Sequence, residues 1–116
     1  ILISRRKNRG FLGGLWEFPG GKIIKGETDE ECIKRETKEE LNIVVKPAAF
    51  IKHINHHYSH FSISMNAYFC NYLSGKPKTL FCADFKWIYP TEITNFAFPR
   101  ANHKLFKEIK RTLSKC

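Results

Sequence analysis

The feature that most constrains this chain is a concentration of carboxylates in one short stretch behind a Gly-Gly turn. The chain has 116 residues, and its 20 Lys and Arg give it a net charge of +9. Carboxylates this close together repel one another, so the stretch needs either full solvation or a bound cation. Seven of the eleven acidic residues lie between positions 27 and 40: Glu27, Asp29, Glu30, Glu31, Glu36, Glu39 and Glu40.

Local signals predict that most of this stretch is a helix over 28–41. Thr28 and Glu31 have the spacing of a capping box, and acidic side chains fill the first turn, where the helix dipole favours them. Asn42 follows as the expected left-handed stop. The residues expected to face the core recur at four-residue spacing: Ile33, Thr37 and Leu41.

On a helical wheel, Glu36, Glu39 and Glu40 share roughly a quarter of the helix surface. Arg35 is within reach of Glu31 and Glu39. Close oxygen ligands suit a hard divalent cation such as Mg²⁺, which also binds phosphates and supports hydrolytic attack on them. The competing interpretation is a solvated acidic face with surface ion pairs, and charge alone does not decide between the two.

The rest of the chain predicts one α/β domain. Apolar residues make up 42% of the chain, enough for one core, and no run of 18 apolar residues indicates a membrane-spanning helix. Positions 91–98 are expected to form a loop or a short helix. Strands are predicted at 1–4, from 15 onwards for a few residues, at 48–54, at 60–73 and at 85–90, and an amphipathic helix at 101–116.

Cysteine and histidine residues predict no metal site of their own. The four cysteines have no zinc-ligand spacing and are interpreted as reduced thiols of a cytoplasmic protein: Cys32, Cys70, Cys82 and Cys116. Four histidines are interpreted as solvent-facing residues beside a β-hairpin: His53, His56, His57 and His60. Because the chain opens inside an apolar strand, the first strand of the domain is expected to lie upstream.

The spacing of the charged stretch resembles the Nudix box, which is a glycine, five residues, a glutamate, seven residues and then Arg-Glu-apolar-x-Glu-Glu-x-Gly-apolar. Here Gly21 and Glu27 are followed by RETKEELNI at 35–43, so every charged position is intact. Thr37 replaces an apolar residue but keeps a methyl group. Asn42 replaces the last glycine, and Asn is the next-best residue for a positive φ.

Resemblance to the Nudix family implies an α/β fold with a mixed β-sheet between helices, here one domain over 1–116. It also implies cleavage of a nucleoside diphosphate linked to another group, with Mg²⁺ or Mn²⁺ as cofactor. Arg35 would orient the carboxylates, and Glu27 would support the box. The metal ligands implied by position, which together with Arg35 form the catalytic set, are Glu36, Glu39, Glu40 and the carbonyl of Gly21.

Stretches outside the box, such as ISRR, WEFPGGKI and FPRANHKLF, resemble the MutT-like branch of the family, which hydrolyses 8-oxo-dGTP to the monophosphate and pyrophosphate. In that branch the asparagine of the last stretch, here Asn102, reads the oxidised purine, and an amide presents both a donor and an acceptor. Phe18 would line the base pocket, and Arg6 and Lys22 would contact the nucleotide. The alternatives are that Asn102 caps the last helix and that Phe18 is a core residue. A monomer is expected.

One position departs from that branch. The MutT-like enzymes carry a further metal-binding glutamate before the tryptophan that corresponds to Trp87, and here that position is Phe81. A phenylalanine neither binds a cation in this way nor accepts a proton. Asp84 is close in sequence and could substitute, so metal binding is better supported than fast turnover.

A second resemblance leaves another function open. GFLGGLWEFP and HHYSHFSIS are similar to the MutT-like C-terminal domain of MutY-type adenine DNA glycosylases, which recognises 8-oxoguanine opposite adenine in DNA. Tyr58, Ser59 and His60 resemble its Phe-Ser-His loop near the lesion. The basic charge fits a DNA partner, whereas the intact box favours a hydrolase with a nucleotide substrate. A Nudix hydrolase for another nucleotide, such as CTP or ADP-ribose, is the third possibility.

Overall fold

The computed structural model of the chain describes residues 1–8 and 10–113. Within them, no helix is long and apolar enough to cross a membrane. The elements in chain order are β1 (Leu2–Arg5), β2 (Trp16–Glu17), α1 (Asp29–Leu41), β3 (Val44–His57), β4 (Ser62–Ser74), β5 (Asp84–Trp87), a 3₁₀ helix (Pro90–Asn95), α2 (Arg100–His103) and α3 (Phe106–Leu113).

The strands form two sheets whose neighbouring strands run antiparallel in the described residues. β1 lies between β2 and β5 in the first sheet, and β3 pairs with β4 as a long hairpin in the second. In the first sheet Ser4 lies opposite Glu17 on one side and opposite Phe85 on the other. The predicted α/β class is confirmed, with helices packed against both sheets.

The two faces of β1 contribute to different hydrophobic clusters, because successive side chains of a strand point to opposite sides. Ile3, which is fully buried, belongs to the larger cluster with Ile54, Ile93 and α3. Leu2 packs against the smaller cluster, which contains Leu41 at the end of α1. Helix α1 therefore lies over the face of the first sheet that carries Leu2 and Ser4.

Helix α1 forms as its sequence predicts. The Thr28 side chain accepts a hydrogen bond from the Glu31 amide, and the Glu31 carboxylate accepts one from the Thr28 amide, which completes the capping box. Asn42 has a left-handed conformation with φ of 61° and ends the helix. Thr37 and Leu41 are buried, and Ile33 packs beside them, as expected from the four-residue spacing.

Three predicted boundaries are wrong. Strand β3 begins at Val44 instead of 48, since a register shift next to Pro47 lets the strand continue past a residue without an amide proton. Strand β5 covers Asp84–Trp87 instead of 85–90, because the 3₁₀ helix begins at Pro90. The predicted helix over 101–116 is divided into α2 and α3.

The division falls at Lys104 and Leu105, whose amides donate to the carbonyls of Ala101 and Asn102, three residues back. This tighter turn places Leu105 in the core together with Ile109. Leu113 packs against the same cluster. The amphipathic pattern is therefore confirmed, with Leu105, Ile109 and Leu113 on one apolar face, although the helix is not continuous. The end of the predicted helix, residues 114–116, lies outside the described part of the chain.

Candidate active site

Arg35 on α1 organises the Nudix box. Its guanidinium forms a two-point ion pair with Glu27, with Nε to Oε2 at 2.7 Å and Nη2 to Oε1 at 3.0 Å. Its Nη1 donates to Glu36 at 2.7 Å and to Glu39 at 3.2 Å. Nη2 also donates to the carbonyl of Lys22 at 3.0 Å, so one side chain joins the helix to the loop before it.

The prediction that Arg35 reaches Glu39 is confirmed, but the predicted pairing with Glu31 is wrong. The Glu31 carboxylate is used in the capping box, where it faces the Thr28 amide. Glu27 takes its place as the third carboxylate partner of Arg35, and this hydrogen-bonded pair lowers the pKa of Glu27. Neither partner is widely exposed: the Arg35 side chain is 24% exposed and that of Glu27 16%.

Gly21 lies directly against Glu36. A Cβ at Gly21 would overlap the Glu36 carboxylate, so any larger residue there would force that side chain to move. The carbonyl of Gly21 accepts a weak hydrogen bond from Sγ of Cys32 at 3.6 Å. Gly21 and Glu36, both expected to bind metal, are thus brought together by the packing of the loop on α1.

Glu36, Glu40 and Glu17 form an acidic group between α1 and the first sheet. Burial raises the pKa of Glu40 to about 8, with the carboxylates of Glu17 and Glu36 acting in the same direction. Burial also raises the pKa of Glu17 on β2. The 3.1 Å ion pair with Arg6 acts against this rise. The sequence reasoning did not include Glu17. The signal that could have identified Glu17 was its position next to Phe18 in WEFPGG, on a strand that leads into the Gly-Gly turn.

These residues fit a divalent cation by the chemistry of their donors. The acidic group supplies several carboxylate oxygens in a half-buried position, where their repulsion favours either a proton or a metal. Glu39, at 58% exposure, instead points to Arg35. Within the described ranges no three His, Cys, Asp or Glu side chains are already gathered as a metal site, so a cation held by Glu36, Glu39 and Glu40 would draw Glu39 away from Arg35.

The predicted base-binding residues are also neighbours. The amide of Phe18 donates to Oδ1 of Asn102 at 3.5 Å. Asn102 lies inside α2 and does not cap a helix start. The Phe18 ring packs on Phe98 with centroids 5.0 Å apart and on Phe106 at 6.3 Å, so it borders the larger hydrophobic cluster.

Lys22, the remaining predicted nucleotide contact, is exposed and joins the site through its carbonyl. Arg6 is held near the acidic group by Glu17.

The position where the MutT-like branch has a glutamate lies at the end of α1. The amide of Phe81 donates to the Glu40 carbonyl at 3.2 Å, and its ring lies 4.8 Å from Nζ of Lys7. Asp84, the suggested substitute, accepts a hydrogen bond from the Phe85 amide at 2.7 Å. Its carboxylate therefore hydrogen-bonds to the backbone at the start of β5.

The remaining predicted groups lie on the second sheet or are spread through the fold. His53 and His57 are exposed on β3 and hydrogen-bond to neighbours on the hairpin, whereas His56 packs on the ring of Tyr58 at 4.5 Å. His60 is exposed in the turn of that hairpin. The free thiols in the described residues are Cys32, Cys70 and Cys82, and Cys116 lies outside them.

Two cavities lie away from the box glutamates. One, of about 440 Å³, is lined by the start of α1 and by β3 and β4 near Phe50 and Tyr68. The other, of about 560 Å³, is lined by His56, Phe98, Arg100, His103 and Lys104. Neither cavity is lined by Glu36, Glu39 or Glu40, so cavity size does not indicate the reactive centre here.

Known proteins resemble this chain over nearly its whole length. An 8-oxo-dGTP diphosphatase of Buchnera aphidicola subsp. Acyrthosiphon pisum is 30% identical over 114 residues, which covers 95% of this chain and 92% of the relative. The crystal structure of a MutT protein from Methanosarcina mazei Go1 superposes with a TM-score of 0.82 at 22% identity, covering 95% of this chain and 82% of the other. This likeness confirms the predicted Nudix fold.

The similarity to adenine DNA glycosylases is also found. The human adenine DNA glycosylase is 28% identical over 112 residues, which covers 92% of this chain but only 20% of that enzyme. The NUDIX domain family matches residues 1–108, a range that includes the whole box with its Arg35 network. This chain therefore belongs to the Nudix family of hydrolases.

Proposed function

We propose that this hydrolase cleaves an oxidised purine nucleoside triphosphate, with 8-oxo-dGTP as the preferred substrate, to the monophosphate and pyrophosphate. The role would be to remove damaged nucleotides before polymerisation. The proposal is supported most directly by one arrangement: the Arg35-linked carboxylates of α1 lie against Gly21, while the Phe18–Asn102 contact lies next in sequence to Glu17. In this proposal the α1 carboxylates would act on the phosphates, and the Phe18–Asn102 pair, which follows the strand that carries Glu17, would hold the base.

In this proposal, Glu36, Glu39, Glu40 and the carbonyl of Gly21 would hold Mg²⁺ or Mn²⁺. The bound cation would supply charge neutralisation for the phosphates and a more acidic water. Arg35 holds Glu36 and Glu39 in place before substrate arrives. The pKa of Glu40, raised to about 8, keeps this carboxyl largely protonated near neutral pH, so a cation bound there would displace that proton.

The basic side chains serve the phosphates and the amide serves the base. Arg6 and Lys22 border the acidic group from β1 and from the Gly-Gly loop, and their charge attracts a polyphosphate. Asn102 uses Oδ1 for the Phe18 amide, which leaves its two N–H donors to face a purine edge. Oxidation at C8 turns N7 of guanine from an acceptor into an N–H donor and adds a carbonyl oxygen, so the second lone pair of Asn102 Oδ1 would accept from N7–H and distinguish the oxidised base.

Pyrophosphate release from 8-oxo-dGTP, dGTP, CTP and ADP-ribose, with Mg²⁺ and with EDTA, tests the proposal. We expect turnover that needs the cation and prefers 8-oxo-dGTP. Glu39→Gln should lower kcat at least about tenfold, while the control Glu30→Gln, on the same helix but paired only with Lys34, should not. Asn102→Ala should raise KM for 8-oxo-dGTP more than for dGTP. Absence of turnover with all four substrates in folded protein would refute the proposal.

A second function, recognition of 8-oxoguanine in DNA, is favoured by the similarity to the human glycosylase and by the net charge of +9. It predicts binding to an 8-oxoguanine:adenine duplex that weakens steeply with salt, since phosphate contacts release counterions. Tight duplex binding without hydrolysis of any nucleotide would favour this second function over the first.

A further inference from the structure

A buried hydroxyl lies under the acidic group without a partner. Ser4 on β1 is fully buried, and its Oγ has no hydrogen-bond partner in the described residues. An unpaired hydroxyl in the interior destabilises a fold by roughly 1–3 kcal/mol. Such a group calls for an explanation, and a role in a functional site with a bound ion is one of them.

The register of the first sheet directs this hydroxyl at Glu17. Ser4 and Glu17 lie directly opposite one another in the β1–β2 ladder, so their side chains share a face, with Cβ atoms about 5 Å apart. That face is the one covered by α1. Glu17 is close enough to Glu40 for the two carboxylates to act on each other electrostatically. The unpaired hydroxyl and the added carboxylate thus converge on the same acidic group.

Glu17 now has one cationic partner, and that partner is replaceable. The Arg6–Glu17 ion pair measures 3.1 Å, with side chains 42% and 24% exposed. Pairs with this exposure stabilise folds little, because water competes for both partners. Because the Arg6 side chain is 42% exposed, a cation of higher charge can take its place beside Glu17 without rearranging the core.

We propose that Glu17 is an additional carboxylate ligand of the divalent cation, that Ser4 Oγ donates to Glu17 when the cation is bound, and that Arg6 neutralises Glu17 when it is not. The inference rests on the proposed function, since it presumes that Glu36 and Glu40 bind the cation. It assigns a role to three residues that the Nudix box does not contain. Arg6 released from Glu17 is then free to meet the incoming phosphates.

The test is a titration of nucleotide-free protein with Mn²⁺, followed by electron paramagnetic resonance of the free ion and repeated with Mg²⁺ by calorimetry. Glu17→Gln should weaken binding at least about tenfold. Arg6→Gln should tighten it by up to about fivefold, because it removes a competing charge of ion-pair strength. Glu30→Gln, which deletes an exposed carboxylate of α1, should change binding less than twofold.

Opposite changes in Glu17→Gln and Arg6→Gln are the distinctive result. If Glu17 and Arg6 only support the fold, the two variants would lower the melting temperature together and leave the dissociation constant for Mn²⁺ unchanged. That outcome overturns the inference. Glu36→Gln separates it from the proposed function: unchanged binding in Glu36→Gln refutes the cation site itself, while weakened binding in Glu36→Gln alone refutes only the role of Glu17.

Ser4→Ala gives a second measurement that does not depend on folding defects. Removing an unpaired buried hydroxyl should leave the free energy of unfolding of the metal-free protein unchanged or raise it. The same variant should bind Mn²⁺ about two- to tenfold more weakly, since Glu17 loses the donor that orients it. Unaltered Mn²⁺ binding in a stable Ser4→Ala protein would show that the hydroxyl takes no part in the site.

Discussion

Arg35 and Gly21 show how single residues set the geometry of the site. The guanidinium of Arg35 reaches three carboxylates on two segments, which offsets their mutual repulsion and holds them near one another before a cation binds. Gly21 leaves space for Glu36 by having no side chain. The first effect is electrostatic and the second is steric, and both act on the same carboxylate.

Gly21→Ala should therefore damage function more than stability. Gly21 does not have a positive φ, so alanine adds no backbone strain there. Its methyl group would displace the Glu36 carboxylate, and an error of about 1 Å in a reactive group can lower the rate roughly 100-fold. We expect kcat/KM for 8-oxo-dGTP to fall between tenfold and 100-fold, with little change in the melting temperature.

Circular dichroism and a thermal melt of Gly21→Ala provide the control. A large loss of stability together with the loss of activity would show that Gly21 is needed by the loop fold and not by the position of Glu36.

Among the elements, α1 follows its sequence and the C-terminal helices do not. The capping box, the buried stripe and the left-handed stop of α1 are all local, so neighbouring residues suffice to predict them. The break between α2 and α3 depends on Leu105 reaching a core made by other strands. Periodicity at four-residue spacing is the same whether or not the helix is interrupted, which is why the sequence predicted one helix.

The end of α1 allows a test of that local control. Asn42→Ala removes the side-chain amide but keeps a Cβ at φ of 61°, a conformation that alanine adopts at a cost. The variant should lower the free energy of unfolding by about 1 kcal/mol. Asn42→Gly, which restores the residue usual in the family, should cost less, since glycine adopts this conformation freely. Urea denaturation of both variants measures the difference.

If Asn42→Gly were as unstable as Asn42→Ala, the 3.3 Å hydrogen bond from Asn42 to the Lys76 carbonyl would be the stabilising feature instead of the backbone conformation.

At the scale of the whole molecule, a polar contact ties α1 to the second sheet. Asp29 accepts hydrogen bonds from the Tyr68 hydroxyl at 2.6 Å and from the Asn66 amide at 3.0 Å, both on β4. These bonds lower the pKa of Asp29. Because its folded-state pKa lies below the unfolded one, ionised Asp29 stabilises the fold above about pH 4, and this contribution is lost as the pH falls further.

Tyr68→Phe removes the stronger of those bonds and should lower the free energy of unfolding at neutral pH. The gap between wild type and Tyr68→Phe should narrow as the pH falls below about 4, because Asp29 then becomes protonated, first in the unfolded chain and at lower pH in the folded wild type. Denaturation by urea at several pH values measures it, with Tyr89→Phe, at a tyrosine that is 77% exposed, as the matched control. A gap that stays constant from neutral pH to pH 3 would show that the loss does not come from the hydrogen bond to ionised Asp29.

The amino-acid sequence by itself determined the family, helix α1 and the residues of the Nudix box. These depend on spacing along the chain, and Arg35, Glu36 and Glu39 lie within one turn or so of each other on a helix that forms from local signals. The α/β class followed from the same patterns. Site residues such as Phe18 and Asn102 came from resemblance, and the structure places them together.

Only the tertiary structure decided which distant side chains join the box. Ser4, Arg6 and Glu17 reach the acidic group because β1 and β2 pair in one register and α1 covers that face. The structure also placed Phe81 beside Lys7 and Asp84 at the start of β5. Register and packing arise from contacts between residues far apart in the chain, where burial and charge are settled by three-dimensional neighbours that no local pattern specifies.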